Sequence, residues 1–544
     1  MSRRWFSISL AAVAFGAAMV LAVGEIVTSR RLNVIVLTVE STRASDFTEA
    51  NFPKIFAAAR AGTRFVNHRA VSAWTGPNII AVLSGLSPFA QGVHARDQSL
   101  PQGVVTPLTE MAKDGWRVAA LQPFMEVSVF DHLGYSVGYG RDLKGWLAAQ
   151  VRNRQPFVLW YHYLPTHLPY APSPEHMPDW RALLPPGDAA AEKRVGAVMT
   201  EPVIPSGSIA FQATDRPAIR ALYLGNLRGF DDWFAYFWEF FNQSGLRGDT
   251  ILVLTADHGD EQLDHGELGH ASTNRHGHMP EEIVHVPLVI WLPPRLMSRM
   301  APGVREDETW HSDIMPTLSD LLARRSSVVF EGRSVLTPLS KDRAWSAVTS
   351  GAGYAEHDPN HIRRYVFARK EGSWKLQLET IDGLVTKREL YDLAQDPGEL
   401  RNRIADEPER AAIMEAALLA QRAAMRPPSP VQAGKAAVSA ERPAWVYPVG
   451  RTAMGYDDFG GKFRLEWTGV ADQAYVIQYE VGEGWKAFSG EMQVTGTSKD
   501  FGAVERAYWD RWVVPYGRVR ARVAPAGRND LWSPWLDIQL VSQR

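Results

Sequence analysis

The loop "ADHGDEQLDHGELGH", residues 256–270, gathers Asp257, His258, Asp260, Asp264, His265 and His270, and "NRHGHMPEE" adds His276 and His278 shortly after. Carboxylate oxygens and imidazole nitrogens side by side are donor types for a divalent cation: Zn, Mn, Mg or Ca. Asp-His-Gly alone is a common tripeptide, and a histidine-rich surface loop is the plain alternative. Position adds weight to the functional reading, because the loop follows the apolar run "TILVLTA". A second such run, "LNVIVLTVE" (32–40), ends in Glu40. That carboxylate is either a solvated strand end neutralised by Arg43, or an anionic ligand facing Asp257 and His258.

The stretch "SAWTGPNIIAVLSG", residues 72–85, offers three hydroxyls, on Ser72, Thr75 and Ser84. Thr75 reads as a helix N-cap, with Gly76 and Pro77 in the first turn, where proline is tolerated. That position has its own chemistry. Free N–H groups and the helix dipole favour an arriving anion such as a phosphate or sulfate group. A threonine hydroxyl is a weak nucleophile until a base or metal activates it. The constellation is coherent only if Glu40, Thr75, Asp257 and His258 share a metal.

Strands must hold these residues. The apolar runs at 32–40, 250–260 and 286–293 alternate with helical patterns such as "LTEMAKDGW" and "GNLRGFDDWFAYFWEFFNQSG". This predicts an α/β domain with a largely parallel sheet flanked by helices. Such sheets collect ligands beyond the carboxyl ends of their strands, which is where Glu40, Asp257 and His258 fall. After about residue 425, "RPPSPVQAGKAAVSAERP" reads as a linker. Short alternating runs from "KFRLEWTG" to "WSPWLDIQLV" then predict an all-β sandwich. The expected divisions are 1–31, 32–425 catalytic, 426–445 linker and 446–544 sandwich.

At 544 residues, with 45% hydrophobic and 22% charged residues, the chain is globular and multidomain. A net charge of -2 gives no basis for a nucleic-acid partner. The absence of cysteine excludes disulfides, thiolate ligands and cysteine nucleophiles. Arg3 and Arg4 precede an apolar stretch over residues 5–27. It is an export signal or an uncleaved inner-membrane anchor, and either one places the rest in the periplasm or another extracytoplasmic space.

Taken together and in order, "NVIVLTVESTRAS", "TGPNIIAVLSGLSP", "PFVLWYHYLPTHLPY", "SGLRGDTILVLTADHGD", "HGHMPEEIVHVPLVIW", "HSDIMPTLSDLL" and "ELYDLAQDPGELRN" resemble the sulfatase branch of the alkaline phosphatase superfamily. Aligning Ser84-Gly85 with that family's Thr-Gly puts Thr75 at the position of its formylglycine precursor. Threonine cannot become formylglycine. Asn78 and Ile79 replace the family's Ser and Arg, while Glu40 and Ser41 replace its acidic pair. The set Glu40, Thr75, Asp257 and His258 is similar to the metal sites of lipoteichoic acid synthases and lipid A phosphoethanolamine transferases.

The resemblance implies Thr75, His167 and His276 as catalytic groups, and Asn78, His167, His276 and His278 as substrate-binding ones. His276 is placed at a family lysine by counting back from Glu281-Glu282. The implied activity is metal-dependent cleavage of a phosphoester by hydrolysis or transfer. Its expected substrate is a phosphorylated or sulfated envelope lipid or glycan, with a membrane partner if the N-terminal segment is retained. A sulfatase using unmodified threonine and a glycan-binding pseudoenzyme are the alternatives. The C-terminal region resembles a fibronectin type III domain through Trp467, Tyr479 and "YGRVRARVAPAGRNDLWSPW"; Trp485, Trp532 and Trp535 are candidates for stacking on sugars.

Overall fold

A computed structural model describes residues 32–542 apart from 95–97, 122–127, 138–141, 154, 341–342, 351–363, 425–440 and short pieces of the C-terminal region (451–452, 460–461, 472, 483–487, 504–505 and 507–508). The export or anchor segment, most of the linker and Trp485 lie outside the described residues. Among the described residues, no helix is long and apolar enough to cross a membrane.

The site is carried by an eight-stranded sheet. Its early strands are β1 (Asn33–Val39), β2 (Thr63–Arg69), β3 (Arg117–Leu121), β4 (Ser136–Val137), β5 (Phe157–Tyr163) and β6 (Thr250–Ala256). A small hairpin of β7 (Glu261–Gln262) and β8 (Leu268–Gly269) follows. The sheet is completed by β9 (Leu288–Trp291) and β10 (Gly303–Trp310), giving the order β10-β2-β9-β6-β1-β5-β3-β4. β1 lies at its centre, parallel to β5 and β6 and buried along its whole length.

Burial on both faces explains why β1 is a run of apolar residues instead of an alternating pattern. Val34 and Val36 face a core that includes Ile79, Ile80 and Leu83 of the Thr75–Ser84 helix. Ile35, Leu37 and Val39 face the opposite core, with Leu222, Phe230 and Phe234 of the long Arg216–Gln243 helix. β9, from the apolar run at 286–293, is antiparallel to both β2 and β6. The chain leaves β6 at its carboxyl end and enters β9 from that same end, with no crossover to reverse it.

A second sheet is antiparallel, formed by β11 (Trp345–Ser350), β12 (Arg364–Glu371), β13 (Trp374–Ile381) and β14 (Leu384–Asp392), with the Pro408–Ala423 helix packed on it. Buried Lys375 of β13 ties it to the main domain, pairing with Glu281 at 3.0 Å and Glu399 at 3.1 Å.

The C-terminal region has β15 (Trp445–Tyr447), β16 (Ala453–Met454), β17 (Lys462–Trp467), β18 (Ala474–Val481), β19 (Phe488–Thr495), β20 (Ser498–Ala503), β21 (Arg518–Pro525) and β22 (Leu536–Leu540). They form two sheets, β15-β17-β20 and β16-β22-β21-β18-β19. Leu465, Trp467, Ile477, Tyr479, Val523 and Ile538 share the core of this region. Trp467 is therefore a core residue. Trp532 and Trp535 are half-buried beneath Arg520 and Arg522.

Candidate active site

β1, β5 and β6 end at one edge of the sheet, and their tips bring distant residues together. Glu40 leaves β1, its N–H bonded to Tyr163 O of β5, while Asp257 leaves β6 and donates its N–H to Val39 O. Ser41, just past Glu40, holds a positive φ of 53°. A non-glycine residue keeps that conformation only where its surroundings demand it. Here they do: Ser41 N–H donates to Asp257 Oδ1 at 3.1 Å, its hydroxyl donates to Glu40 Oε1 at 3.1 Å, and its carbonyl accepts from Tyr223 at 2.9 Å.

Gly259 completes the turn after His258 and donates its N–H to Ile283 O at 2.7 Å. A Cβ at this position would lie 2.0 Å from Glu282 O, so the close backbone approach requires glycine.

Thr75 comes from the other layer. The structure corrects its expected capping role: Trp74, extended at φ -160°, is the N-cap, and Thr75 is the first residue of the Thr75–Ser84 helix. The reason lies in the preceding loop, which is braced by a buried amide. Asn78 Oδ1 accepts from Val71 and Ser72 N–H, and its Nδ2 donates to Ser72 O and Trp74 O. That brace moves the helix start one residue earlier and frees the Thr75 hydroxyl from capping. Asn78, expected at the substrate, thus holds the loop that presents Thr75. Gly76 allows this close packing, since a Cβ there would lie 2.6 Å from the Trp74 ring and 2.8 Å from Val129.

Thr75 Oγ1 then lies 3.4 Å from Glu40 Oε2 and 3.4 Å from His258 Nε2. Glu40, Asp257 and His258 are each 0% exposed, and Thr75 is 9% exposed. The threonine is the member of the set that solvent can still reach.

The donor set suits a cation. His258 Nδ1–H donates to the Gly259 carbonyl at 2.7 Å, which leaves Nε2 with a lone pair directed into the site. That nitrogen is 3.2 Å from Glu40 Oε1 and 3.2 Å from Asp257 Oδ2, and among the described residues no hydrogen bond reaches Asp257 Oδ2. A lone pair and two carboxylates in a fully buried space require a positive charge among them. The same demand shows in the protonation equilibria. Burial alone would lower the His258 pKa, yet Asp257 and Glu40 hold it well above its usual value. Burial would raise that of Glu40, but the hydrogen bond from His162 and, while a proton occupies His258 Nε2 in place of a cation, the His258 imidazolium keep it well below the usual carboxylate range. Ligand atoms of Glu40, His162 and Asp257 lie within 4.8 Å of one another, as do those of Glu40, His258 and His270.

The sequence reasoning missed several of the residues now found here. Thr38 pairs in register with His162, and strand alternation puts Thr38, Glu40 and His162 on one face. Trp160 Nε1–H donates to Thr38 Oγ1 at 2.8 Å, Thr38 O–H donates to His162 Nδ1 at 2.7 Å, and His162 Nε2–H donates to Glu40 Oε2 at 2.8 Å. This buried relay fixes the Glu40 carboxylate. His162→Ala is expected to weaken divalent-metal affinity about 10- to 100-fold, measured by titration calorimetry, with the folded circular-dichroism spectrum retained. The available sequence signal was a lone histidine near the carboxyl end of a buried strand.

Beyond Asp257-His258, the loop supplies a second set. His270 Nδ1 is 2.9 Å from Asp260 Oδ1, and Ser272 Oγ is 2.7 Å from His270 Nε2. Tyr170 donates to the other Asp260 oxygen. Burial pushes Asp260 up to about 7 and His167 down to about 4. The His270 ring lies 4.1 Å from that of His258 and 5.0 Å from that of His167.

It is therefore His270 that packs against His258. His276 instead accepts from Arg364 at 3.3 Å, and His278 lies 3.4 Å from Glu261 and 3.4 Å from Gln377. No described contact joins His276 or His278 to Glu40, Thr75, Asp257 or His258. Arg43 does not neutralise Glu40; it pairs with Asp264 and donates to Asp260 O.

The sheet thus presents a helix-borne threonine over a carboxylate-imidazole centre, and the proteins this chain is similar to include sulfatases and other alkaline phosphatase superfamily members. Residues 139–323 match the Sulfatase family model. The chain is 25% identical over 292 residues to the multifunctional alkaline phosphatase superfamily protein PehA of Trinickia caryophylli, covering 48% of this chain and 54% of that protein. It thus spans about half of that curated relative's length. Its fold resembles the phosphonate monoester hydrolase of Agrobacterium radiobacter, with a TM-score of 0.56 and 19% identity over 73% of this chain and 96% of the other. It equally resembles a protein solved with its substrate D-glucosamine-2-N,6-O-disulfate, with a TM-score of 0.56 and 17% identity over 74% of this chain and 100% of that one. At these identities the structural likenesses concern the fold.

Proposed function

We propose that the protein is an exported, metal-dependent enzyme that cleaves a phosphoester by hydrolysis or transfer, with Thr75 as the nucleophile. One observation carries this reading: the Thr75 hydroxyl sits at the first turn of a helix, 3.4 Å from both Glu40 and His258. A divalent cation held by Glu40, Asp257 and His258 beside Thr75 would supply Lewis-acid polarisation and lower the pKa of a neighbouring hydroxyl. One imidazole among oxygen donors favours Zn or Mn over Mg or Ca.

The chain's own residues account for the rest. The Thr75 hydroxyl donates to Glu40 and so directs an oxygen lone pair outward. The helix start offers unbonded N–H groups to the non-bridging oxygens of an incoming phosphate group. His167, neutral at physiological pH, lines the approach beside His270. Asp260 holds His270 with its proton on Nδ1, leaving Nε2 basic. The relay from Asp260 through His270 to Ser272 can take a proton from the water or hydroxyl that attacks the threonine ester.

The need for that second attack favours phosphorus. Formylglycine hydrate releases sulfate by elimination, a route a threonine ester lacks. The sulfatase alternative draws on the family match and on the disulfated substrate of one fold neighbour. A panel of matched phosphate monoesters, phosphodiesters, phosphonate esters and sulfate esters decides. Turnover in the phosphorus series is expected, and turnover of sulfate esters alone would overturn this reading. The basic, apolar N-terminal segment supports export, and an envelope lipid or glycan as substrate. The strand order of the C-terminal sheets supports the fibronectin type III-like reading of residues 446–544.

A further inference from the structure

The C-terminal region touches the catalytic domain on both sides of Thr75. On one side, the Ser128–Phe130 turn packs on the start of the nucleophile helix. Val129 lies against Gly76, and the Phe130 ring is 5.2 Å from Trp160, the first member of the relay to Glu40. The next residue, Asp131, pairs with Lys499 of β20 at 3.6 Å.

On the other side runs the segment 164–170. Thr166 donates to Glu40 O at 2.6 Å, His167 faces His270, and Tyr170 donates to Asp260. Within this segment, Pro169 O accepts from Arg511 Nη2 at 2.9 Å. Arg511 sits in the Trp509–Val513 turn, which is anchored in turn. Trp509 is buried in the C-terminal core and donates from Nε1 to Val541 O at 3.1 Å.

We infer that the C-terminal sandwich is a working part of the active site, clamping both walls around Thr75, and that Arg511 is a positioning residue for His167. This rests on the catalytic reading of Thr75 and His167. Loops that carry catalytic groups hold them only as well as their surroundings do, and a charged donor on a backbone carbonyl two residues from His167 fixes that loop directly. The sandwich is thereby more than a spacer.

Full-length Arg511→Ala and Arg511→Lys, compared with the native chain, test this by two readouts. For Arg511→Ala, amide hydrogen exchange across residues 164–170 is expected to rise roughly threefold or more while exchange in β1 and β6 stays unchanged. Its KM is expected to rise and its kcat/KM to fall about tenfold. Arg511→Lys keeps a donor and is expected to stay within about twofold of the native chain. Unchanged exchange at 164–170 in Arg511→Ala overturns the inference. Raised exchange with native KM and kcat also overturns it, because the clamp would then do nothing for catalysis. The exchange readout needs no turnover. If the native chain hydrolyses no ester, a raised exchange still supports the clamp, and it is the catalytic reading that falls.

Discussion

Thr75→Ala is expected to lower kcat/KM for the best ester substrate by roughly 10⁴- to 10⁶-fold, and Thr75→Ser to keep it within about tenfold. The size follows from the proposed role: among the described contacts Thr75 carries the one hydroxyl that meets both Glu40 and His258, so alanine removes the bond-forming atom. Serine restores that atom at the same helical position and loses a methyl group. The fold should tolerate both changes. Thr75 makes no capping bond, and alanine is the better residue inside a helix. Steady-state kinetics beside a thermal melt separates lost chemistry from lost structure. Mass spectrometry of rapidly quenched native enzyme should place the transferred group on Thr75. Native-level turnover by the alanine variant would exclude threonine as nucleophile and return the protein to the pseudoenzyme or another mechanism.

Glu40→Gln is expected to have the second-largest effect. It preserves shape while removing one of the two carboxylate charges in the buried centre, beside a His258 nitrogen only 3.2 Å away. Elemental analysis should find about one divalent metal per native chain and little in the variant, with kcat/KM reduced roughly 10³-fold or more. Stability gives an independent readout. A ligand that binds only the folded state stabilises it, by about 2.7 kcal/mol at a free concentration of 100 Kd. Added Zn or Mn should therefore raise the melting temperature of chelator-stripped native protein, and Glu40→Gln should lose that rise. A variant that keeps both full metal content and the melting shift would remove Glu40 from the ligand set.

Both effects depend on the relay behind Glu40, which shows how differently the parts of this site could be read beforehand. Glu40, Asp257 and His258 were legible because each follows a buried strand, and sheets of this kind gather ligands at strand tips. Thr75 was legible through its hydroxyl type and its place before a helix, although its exact helical position was not. Trp74 became the N-cap because Asn78 braces residues 71–74, and a side-chain brace leaves no periodic mark in a sequence. His162 was hidden for a related reason. Only the register that sets Thr38 against His162 reveals that this histidine supports Glu40.

His270 and His276 show the same limit in a loop. Counting along the chain favoured His276 at the family's lysine position, but loop length is not conserved geometry. The β7–β8 hairpin folds the loop back so that Asp260 and Ser272 hold His270 over His258, while His276 turns toward Arg364. Likewise the direction of β9 was not written in its apolar residues, which suit a strand running either way.

By itself, then, the sequence determined the element types, the α/β architecture with a C-terminal β region, and the candidate set of Thr75 with Glu40, Asp257 and His258 that the fold brings together. Local chemistry suffices for those, because burial periodicity and side-chain type are properties of a few neighbouring residues. Tertiary structure alone decided which histidine packs against His258, what fixes Glu40, and how the sandwich reaches both walls of the site. The first depends on how the β7–β8 hairpin folds its loop back, and the other two on contacts between residues more than one hundred positions apart, such as His162 with Glu40 and Arg511 with Pro169. Nothing short of the folded chain sets such distances.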